Sequence, residues 1–154
     1  MTRRVGFKGL ISACAIVALT PVLGTRLDSR PRPPRPGART VWDSVYSLSQ
    51  AATGETAYAK TCARCHGASL SGGDESPPLT GSGFLGNWNG LPLSDLQTRI
   101  RTTMPTDSVG IYGQQLVTDV IAFLLKANGF PAGQADLPKD IEPLKAIAIQ
   151  SSRP

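Results

Sequence analysis

Apolar residues near the C-terminal end of the chain recur with a helical period. The clearest stretch is residues 114–127, whose apolar positions suit one face of a helix: Leu116, Val117, Val120, Ile121, Phe123, Leu124 and Leu125. Asn128 and Gly129 follow, a pair typical of a helix end, and Pro131 stands just beyond. The pattern therefore predicts a helix from 114 to 127.

Two capping patterns predict two earlier helices. Ser-Leu-Ser-Gln at 47–50 and Ser-Asp-Leu-Gln at 94–97 each place a glutamine three residues after a serine, as in a capping box. The first helix is expected to run as far as Cys65. The second is expected to end near Thr103, because Pro105 cannot continue a helix.

The intervening residues 66–93 are rich in glycine, proline and serine and show no helical period. No segment of the chain shows the alternation of a half-buried strand. The expected fold class is therefore all-α. A segment of this length without secondary structure is unusual in a small domain, so something other than helices should organise it.

Residues 1–24 have the pattern of an export signal. Arg3, Arg4 and Lys8 give a positive start, and residues 10–23 form an apolar run. That run of about 14 residues is short for a membrane span, which needs roughly 20. A cleaved signal peptide is thus favoured over an uncleaved N-terminal anchor. Either would place the mature protein in the periplasm or at the extracytoplasmic face of the membrane.

Residues 25–40 read as a linker rich in proline and arginine, typical of an extended spacer. Its arginines could contact anionic lipids, or the segment could be a solvated spacer. The net charge is +5, but residues 1–40 carry +7 and residues 41–154 carry −2. The predicted folded domain, 41–154, is therefore mildly acidic, and no nucleic-acid partner is expected.

Two of the three cysteines and the single histidine lie together in Cys62-Ala63-Arg64-Cys65-His66. In a C-x-x-C-H run, both thiols can add to the vinyl groups of a haem while the histidine binds its iron. A zinc site would need a fourth ligand, and a redox dithiol would need a strand–helix–strand context. A covalent haem would also organise residues 66–93. Arg64 is expected to face solvent.

Met104 is the candidate for the sixth iron ligand. The chain has two methionines, and the other initiates it. Met104 lies between Thr103 and Pro105, where the second predicted helix ends. A methionine can also simply fill a gap in a core. Axial ligation is favoured, because a His/Met pair suits electron transfer and raises the reduction potential.

These motifs resemble the class I c-type cytochromes. The resemblance rests on CARCH, the following Pro77-Pro78-Leu79, Trp88, the TTMP run and the apolar last helix. The runs at 41–67, 84–90 (FLGNWNG) and 100–105 (IRTTMP) are similar to monohaem cytochromes linked to quinoprotein dehydrogenases. The resemblance covers about residues 41–149.

The resemblance implies helices and long loops wrapped around one covalent haem c with its iron. Cys62 and Cys65 would be the thioether anchors, and His66 and Met104 the axial ligands. The carbonyl of Pro77 would accept a hydrogen bond from the imidazole of His66.

Other positions receive secondary roles from the same resemblance. Trp88 would donate its indole N–H to a haem propionate, or pack on the porphyrin edge. Gly54 and Tyr58 would pack the first helix against the last. Arg99 and Arg101 are two residues apart and do not share a helix face, so at most one of them would neutralise a propionate, and exposure to solvent is the default expectation for both.

A haem with both axial positions filled predicts a one-electron carrier rather than an enzyme. Electrons would pass from a periplasmic dehydrogenase or respiratory complex to an oxidase or another acceptor. Two alternatives stay open. The protein could be the haem subunit or domain of a dehydrogenase complex, or a haem peroxidase or gas sensor in which Met104 is labile.

Overall fold

The structure is a computed structural model that describes residues 39–74 and 76–154. Its elements, in chain order, are β1 (Arg39–Thr40), α1 (Leu48–Thr61), α2 (Ala63–His66), α3 (Gly81–Trp88), α4 (Leu93–Thr103), α5 (Gln114–Ala127), α6 (Ile141–Leu144) and β2 (Ile147–Ala148). Helices dominate these ranges, which confirms the predicted all-α class. The predicted leader, 1–24, and residues 25–38 of the predicted linker lie outside the described residues.

The first predicted helix is present, but it consists of two segments. Its cap is the predicted one, since the Ser47 hydroxyl accepts a hydrogen bond from Gln50 N at 3.0 Å. The regular part ends at Thr61. Cys62, with φ −115°, separates α1 from α2.

The second predicted helix, α4, has a different cap from the one predicted. Pro92 occupies the cap position, and Ser94 lies inside the helix. Ser94 and Gln97 are both buried. Gln97 Nε2 donates to Thr118 Oγ1 at 2.9 Å and to the carbonyl of Lys139 at 2.7 Å. The residues of the capping pattern at 94–97 therefore do not cap α4; they are buried, and Gln97 connects α4 to distant parts of the chain.

The segment 66–93 contains a helix that the sequence did not predict. In α3, Phe84 is buried, and Leu85 and Trp88 pack against the core. These three apolar side chains offset the poor helix propensity of the glycines around them. The other described residues between α2 and α4 are irregular, as expected.

The core is centred on the contact between α1 and α5. α5 has the bounds that the sequence predicts, and all of its residues from 117 to 125 are buried. Gly54 lies against the backbone of α5, where a Cβ atom would be 1.8 Å from the carbonyl oxygen of Asp119. One turn later, Tyr58 packs against Phe123 with ring centroids 5.3 Å apart. Gly54 and Tyr58 thus join the two helices.

Residues 129–150 return along the start of the domain. Tyr46 Oη donates to the carbonyl oxygen of Phe130 at 2.7 Å. The ring of Trp42 packs edge-on against Phe130, with centroids 4.9 Å apart. Aromatic side chains near the beginning of the domain therefore hold the segment that follows α5.

One glutamine holds the same segment further along. Gln50 is buried; its Oε1 accepts from Leu137 N at 2.7 Å, and its Nε2 donates to Leu137 O at 3.0 Å. The same Nε2 also donates to Asp119 Oδ1 at 3.1 Å. Both backbone groups of Leu137 are satisfied in this way, as a neighbouring strand would satisfy them.

The two short strands pair in parallel, with Arg39 opposite Ile147 and Thr40 opposite Ala148. Thr40 is buried. The last two residues of the predicted linker therefore form part of the folded domain. Across residues 39–74 and 76–154, no helix combines the length and the apolar character that a membrane crossing requires.

Candidate haem site

The last four residues of the C-x-x-C-H motif form α2, a single helical turn, and Cys62 is the residue between α1 and α2. Cys62 N donates to Tyr58 O at 2.8 Å, and His66 N donates to Cys62 O at 3.1 Å. These bonds hold both cysteines and the histidine on one short, ordered segment. Cys62 is half-buried and Cys65 is exposed, and no disulfide joins them. Burial raises the pKa of the Cys62 thiol, while the hydrogen bond from Thr61 lowers it.

The backbone carbonyl of Pro77 orients the imidazole of His66. The Pro77 oxygen lies 3.0 Å from His66 Nδ1, the contact that the resemblance implies. With Nδ1 donating to this carbonyl, Nε2 is the nitrogen left for a metal.

A tight turn brings Pro77 back to the histidine. Gly73 N donates to Ser76 O at 2.9 Å, and Gly72 N donates to His66 O at 2.9 Å. Gly72 has φ 77°, and a Cβ atom there would be 2.4 Å from the carbonyl oxygen of Ser76. Both facts require glycine at this position. Gly72 therefore lets the loop close on the imidazole.

Met104 is the C-cap residue of α4, and its N–H donates to Ile100 O at 2.9 Å. Three residues later, the carboxylate of Asp107 forms an ion pair with Arg64, which lies between the two cysteines. The hydrogen bond between them lowers the pKa of Asp107 and raises that of Arg64. The loop that follows Met104 is thereby joined to α2. Arg64 faces solvent as predicted, but no sequence pattern indicated Asp107 as its partner.

The two arginines of α4 differ in their surroundings. Arg99 is exposed, whereas Arg101 is partly buried. Arg101 Nε is fully buried and has no hydrogen-bond partner within the described part of the chain. A buried guanidinium N–H suits an anionic group, and a haem has two propionates. This observation favours Arg101 over Arg99 as the propionate contact.

The surrounding apolar residues also suit a porphyrin. A large flat cofactor needs apolar side chains that are anchored in the core but still accessible on one side. Residues of the central loop, of α3, of α4 and of the loop before α5 pack against the core while only partly buried: Leu79, Leu85, Trp88, Ile100 and Tyr112. Together with the two thiols, the oriented imidazole and Arg101, they fit a covalently bound haem.

Trp88 ends α3, beside Phe84, with ring centroids 6.3 Å apart. It is partly buried. This position is compatible with either of the two roles expected of it.

Tyr58 links α1 to the residue that follows the motif, since its Oη donates to Gly67 O at 2.6 Å. Burial, with a smaller contribution from Cys62, raises the pKa of Tyr58 to about 12. Thioether attachment would remove the charge of Cys62 and leave the effect of burial.

Tyr58→Phe is expected to destabilise the protein at neutral pH by about 1 kcal/mol, the value of one hydrogen bond. An unfolded tyrosine ionises near pH 10, below the folded pKa. The stabilisation by the protonated Tyr58 is therefore complete below pH 10 and is lost as the pH rises towards 12. The difference in unfolding free energy between wild type and Tyr58→Phe, measured by denaturant titration, should narrow over this range. A constant difference up to pH 12 would contradict this assignment.

A family of known proteins matches the central part of the chain. Residues 49–124 match the family described as cytochrome C oxidase, cbb3-type, subunit III. Comparison with the curated proteins gives no match.

Among solved structures, the chain is similar to the sulfane dehydrogenase SoxCD from Paracoccus pantotrophus. The identity is 25% and the TM-score 0.42, over 66% of this chain and 59% of that chain. The alignment therefore spans less than two thirds of the SoxCD chain.

The family match includes α2 with its C-x-x-C-H motif, α3, α4 and most of α5. The helices, the motif and the oriented histidine agree with this match, and a C-x-x-C-H run is the attachment motif of a covalent c-type haem. The chain therefore contains a class I c-type cytochrome domain.

Proposed function

We propose that this protein is a one-electron carrier in which Cys62 and Cys65 hold haem c, and His66 and Met104 are the axial iron ligands. The main support for Met104 as the sixth ligand is the ion pair between Arg64 and Asp107, in the loop after Met104. It joins the segment with the candidate sixth ligand to the helix with the fifth.

Each ligand suits its part of this task. When bound, haem c supplies an iron that gains or loses one electron. The carbonyl of Pro77, 3.0 Å from His66 Nδ1, fixes the orientation of the imidazole and increases its basicity. The thioether of Met104 would be a soft ligand that favours the ferrous state and so raises the reduction potential. Both axial positions would then be filled by the protein, so oxygen and peroxide would have no binding site.

The overall reaction moves one electron in and one electron out. A reduced donor protein loses the electron, an oxidised acceptor protein gains it, and no bond to substrate forms or breaks. We infer a dehydrogenase or a respiratory complex as donor and an oxidase or another carrier as acceptor. Export by residues 1–24 would place the exchange in the periplasm or at the extracytoplasmic membrane face, with the N-terminus available for membrane association.

The test is a spectroscopic study of the purified, exported holoprotein. Acid acetone should leave the pigment on the polypeptide, because thioether bonds are covalent. A redox titration should show one transition of a single electron, and the reduced protein should bind carbon monoxide slowly or not at all. A colourless mature protein would refute the haem assignment. Rapid carbon monoxide binding would instead favour the gas-sensor or peroxidase alternative, with a labile Met104.

A further inference from the structure

Residues 105–112 are held to the rest of the fold by few polar contacts. Within the described residues, the hydrogen bond from Arg64 to Asp107 is the one that joins this loop to another element. Ser108 N donates to Pro105 O at 3.1 Å, but that bond lies within the loop itself. Tyr112 adds apolar contact with the core at the far end of the loop.

The histidine side of the site is held more firmly. The ring of His66 bonds to Pro77 at 3.0 Å, and its backbone carbonyl accepts from Gly72 N at 2.9 Å. Leu79 N donates to Leu70 O at 2.8 Å, which closes the same loop a second time. Restraint is therefore unequal between the two candidate ligands, and Met104 lies on the side with fewer contacts.

Arg64 is well placed to restrain the loop that follows Met104, the side of the site with fewer contacts. It lies between Cys62 and Cys65, both of which the proposed function attaches covalently to the haem. Its backbone would be fixed at both ends, so the arginine offers a stationary partner for the loop. Asp107 lies three residues after Met104, so a movement of Met104 away from the iron would also move Asp107 away from Arg64.

We propose that the Arg64–Asp107 ion pair is a latch that holds the 105–112 loop against α2 and thereby slows the release of Met104 from the iron. The proposal rests on the His66/Met104 ligation proposed above. Both side chains are more than half exposed, at 61% and 55%, so salt should weaken the latch. Arg64 and Asp107 are positioning residues here, because neither binds the iron.

A second ion pair in the chain provides a matched control. Lys126 Nζ lies 3.2 Å from Glu55 Oε2, with exposures of 45% and 55%. This pair joins α5 to α1 and involves neither α2 nor the 105–112 loop. Glu55→Gln removes an ion pair of similar exposure without touching the latch.

The test measures how fast imidazole binds to the ferric holoprotein in a stopped-flow instrument. At saturating imidazole, the rate reports the release of the protein's own sixth ligand. Asp107→Asn and Arg64→Gln should each raise this limiting rate about 1.4- to 5-fold, as expected for an exposed ion pair. The double variant should be no faster than either single variant, because both remove the same contact.

The dependence of the limiting rate on salt concentration is a second measurement, and a purely structural role of the two residues would not change it. The wild-type rate should rise towards the Asp107→Asn rate as salt increases to roughly 1 M, and the Asp107→Asn rate should stay constant. Glu55→Gln should match wild type throughout. A limiting rate for Asp107→Asn equal to that of wild type, or an equal increase in Glu55→Gln, would overturn the latch.

Failure of the underlying ligand assignment would look different. Met104→Ala should bind imidazole without a limiting rate, since no thioether has to leave. If Met104→Ala kept the wild-type limiting rate, Met104 would not be the ligand, whatever the latch variants did. If Met104→Ala behaved as expected and Asp107→Asn had the limiting rate of wild type, only the latch proposal would be wrong.

Discussion

Replacing Met104 with alanine is expected to lower the reduction potential of the bound haem by on the order of 0.1 V or more, within the roughly 0.8 V range that axial ligands span. As the proposed iron ligand, the thioether would stabilise ferrous iron more than ferric iron, so its removal would destabilise the reduced state selectively. Met104 terminates α4 as its C-cap residue, and alanine is compatible with that backbone. The fold should therefore survive while the potential falls.

A spectroelectrochemical titration measures the effect. Thr102→Ala is the matched control, because Thr102 is exposed on the same helix and, among the described residues, its hydroxyl bonds only to Thr98 O, at 2.8 Å. The potential of this control should equal that of wild type. A Met104→Ala protein with an unchanged potential would remove Met104 from the coordination of the iron.

Gly54→Ala is expected to have the largest effect on stability, a loss of about 3 kcal/mol or more, at the upper end for overpacked cores. The new Cβ atom would lie 1.8 Å from Asp119 O, 2.4 Å from Asp119 C and 3.0 Å from Val120 N. These are backbone atoms inside α5, so no side-chain rotation can relieve the clash. The two helices would have to separate, and the packing of Tyr58 on Phe123 would be lost with them.

Guanidinium titration followed by circular dichroism and haem absorbance measures this change. Gly86→Ala is the control, because it is also a helical glycine and a Cβ atom there would meet nothing within 4 Å. Alanine has the higher helix propensity, so the control should be unchanged or more stable by up to about 1 kcal/mol. Equal midpoints for Gly54→Ala and wild type would show that α1 and α5 can move apart at little cost.

Features that depend on neighbouring residues could be predicted from the sequence. The bounds of α5 follow from its apolar period and from the Asn128-Gly129 pair that ends it. The cap of α1 at Ser47 is equally local. The C-x-x-C-H motif predicts covalent haem attachment without reference to distant residues, because all three side chains lie close together in the sequence.

Features that depend on distant partners could not be predicted. Gln50 and Gln97 occupy similar capping patterns, yet both side chains bind parts of the chain more than 20 residues away. In α3, burial of Phe84 overrides a glycine-rich sequence.

The Arg64–Asp107 pair spans 43 residues, and opposite charges are common at the surface. No local signal distinguishes this pair from the other charge combinations in the chain. The C-x-x-C-H motif and the Pro77–His66 contact were therefore predictable from the sequence, whereas the ion pair that joins the loop after Met104 to α2 was not.

The end of α4 has a consequence for how such proteins vary in evolution. Met104 comes directly after the last helical residue, so its direction is set by the phase of the helix. Each added residue lengthens a helix by about 1.5 Å and rotates the next residue by about 100° around its axis. Insertions within α4 would turn the Met104 sulfur away from the proposed iron site. Insertions after Met104 would leave its position on the helix unchanged. Natural homologues are thus expected to differ in length after this methionine and to conserve the number of residues before it.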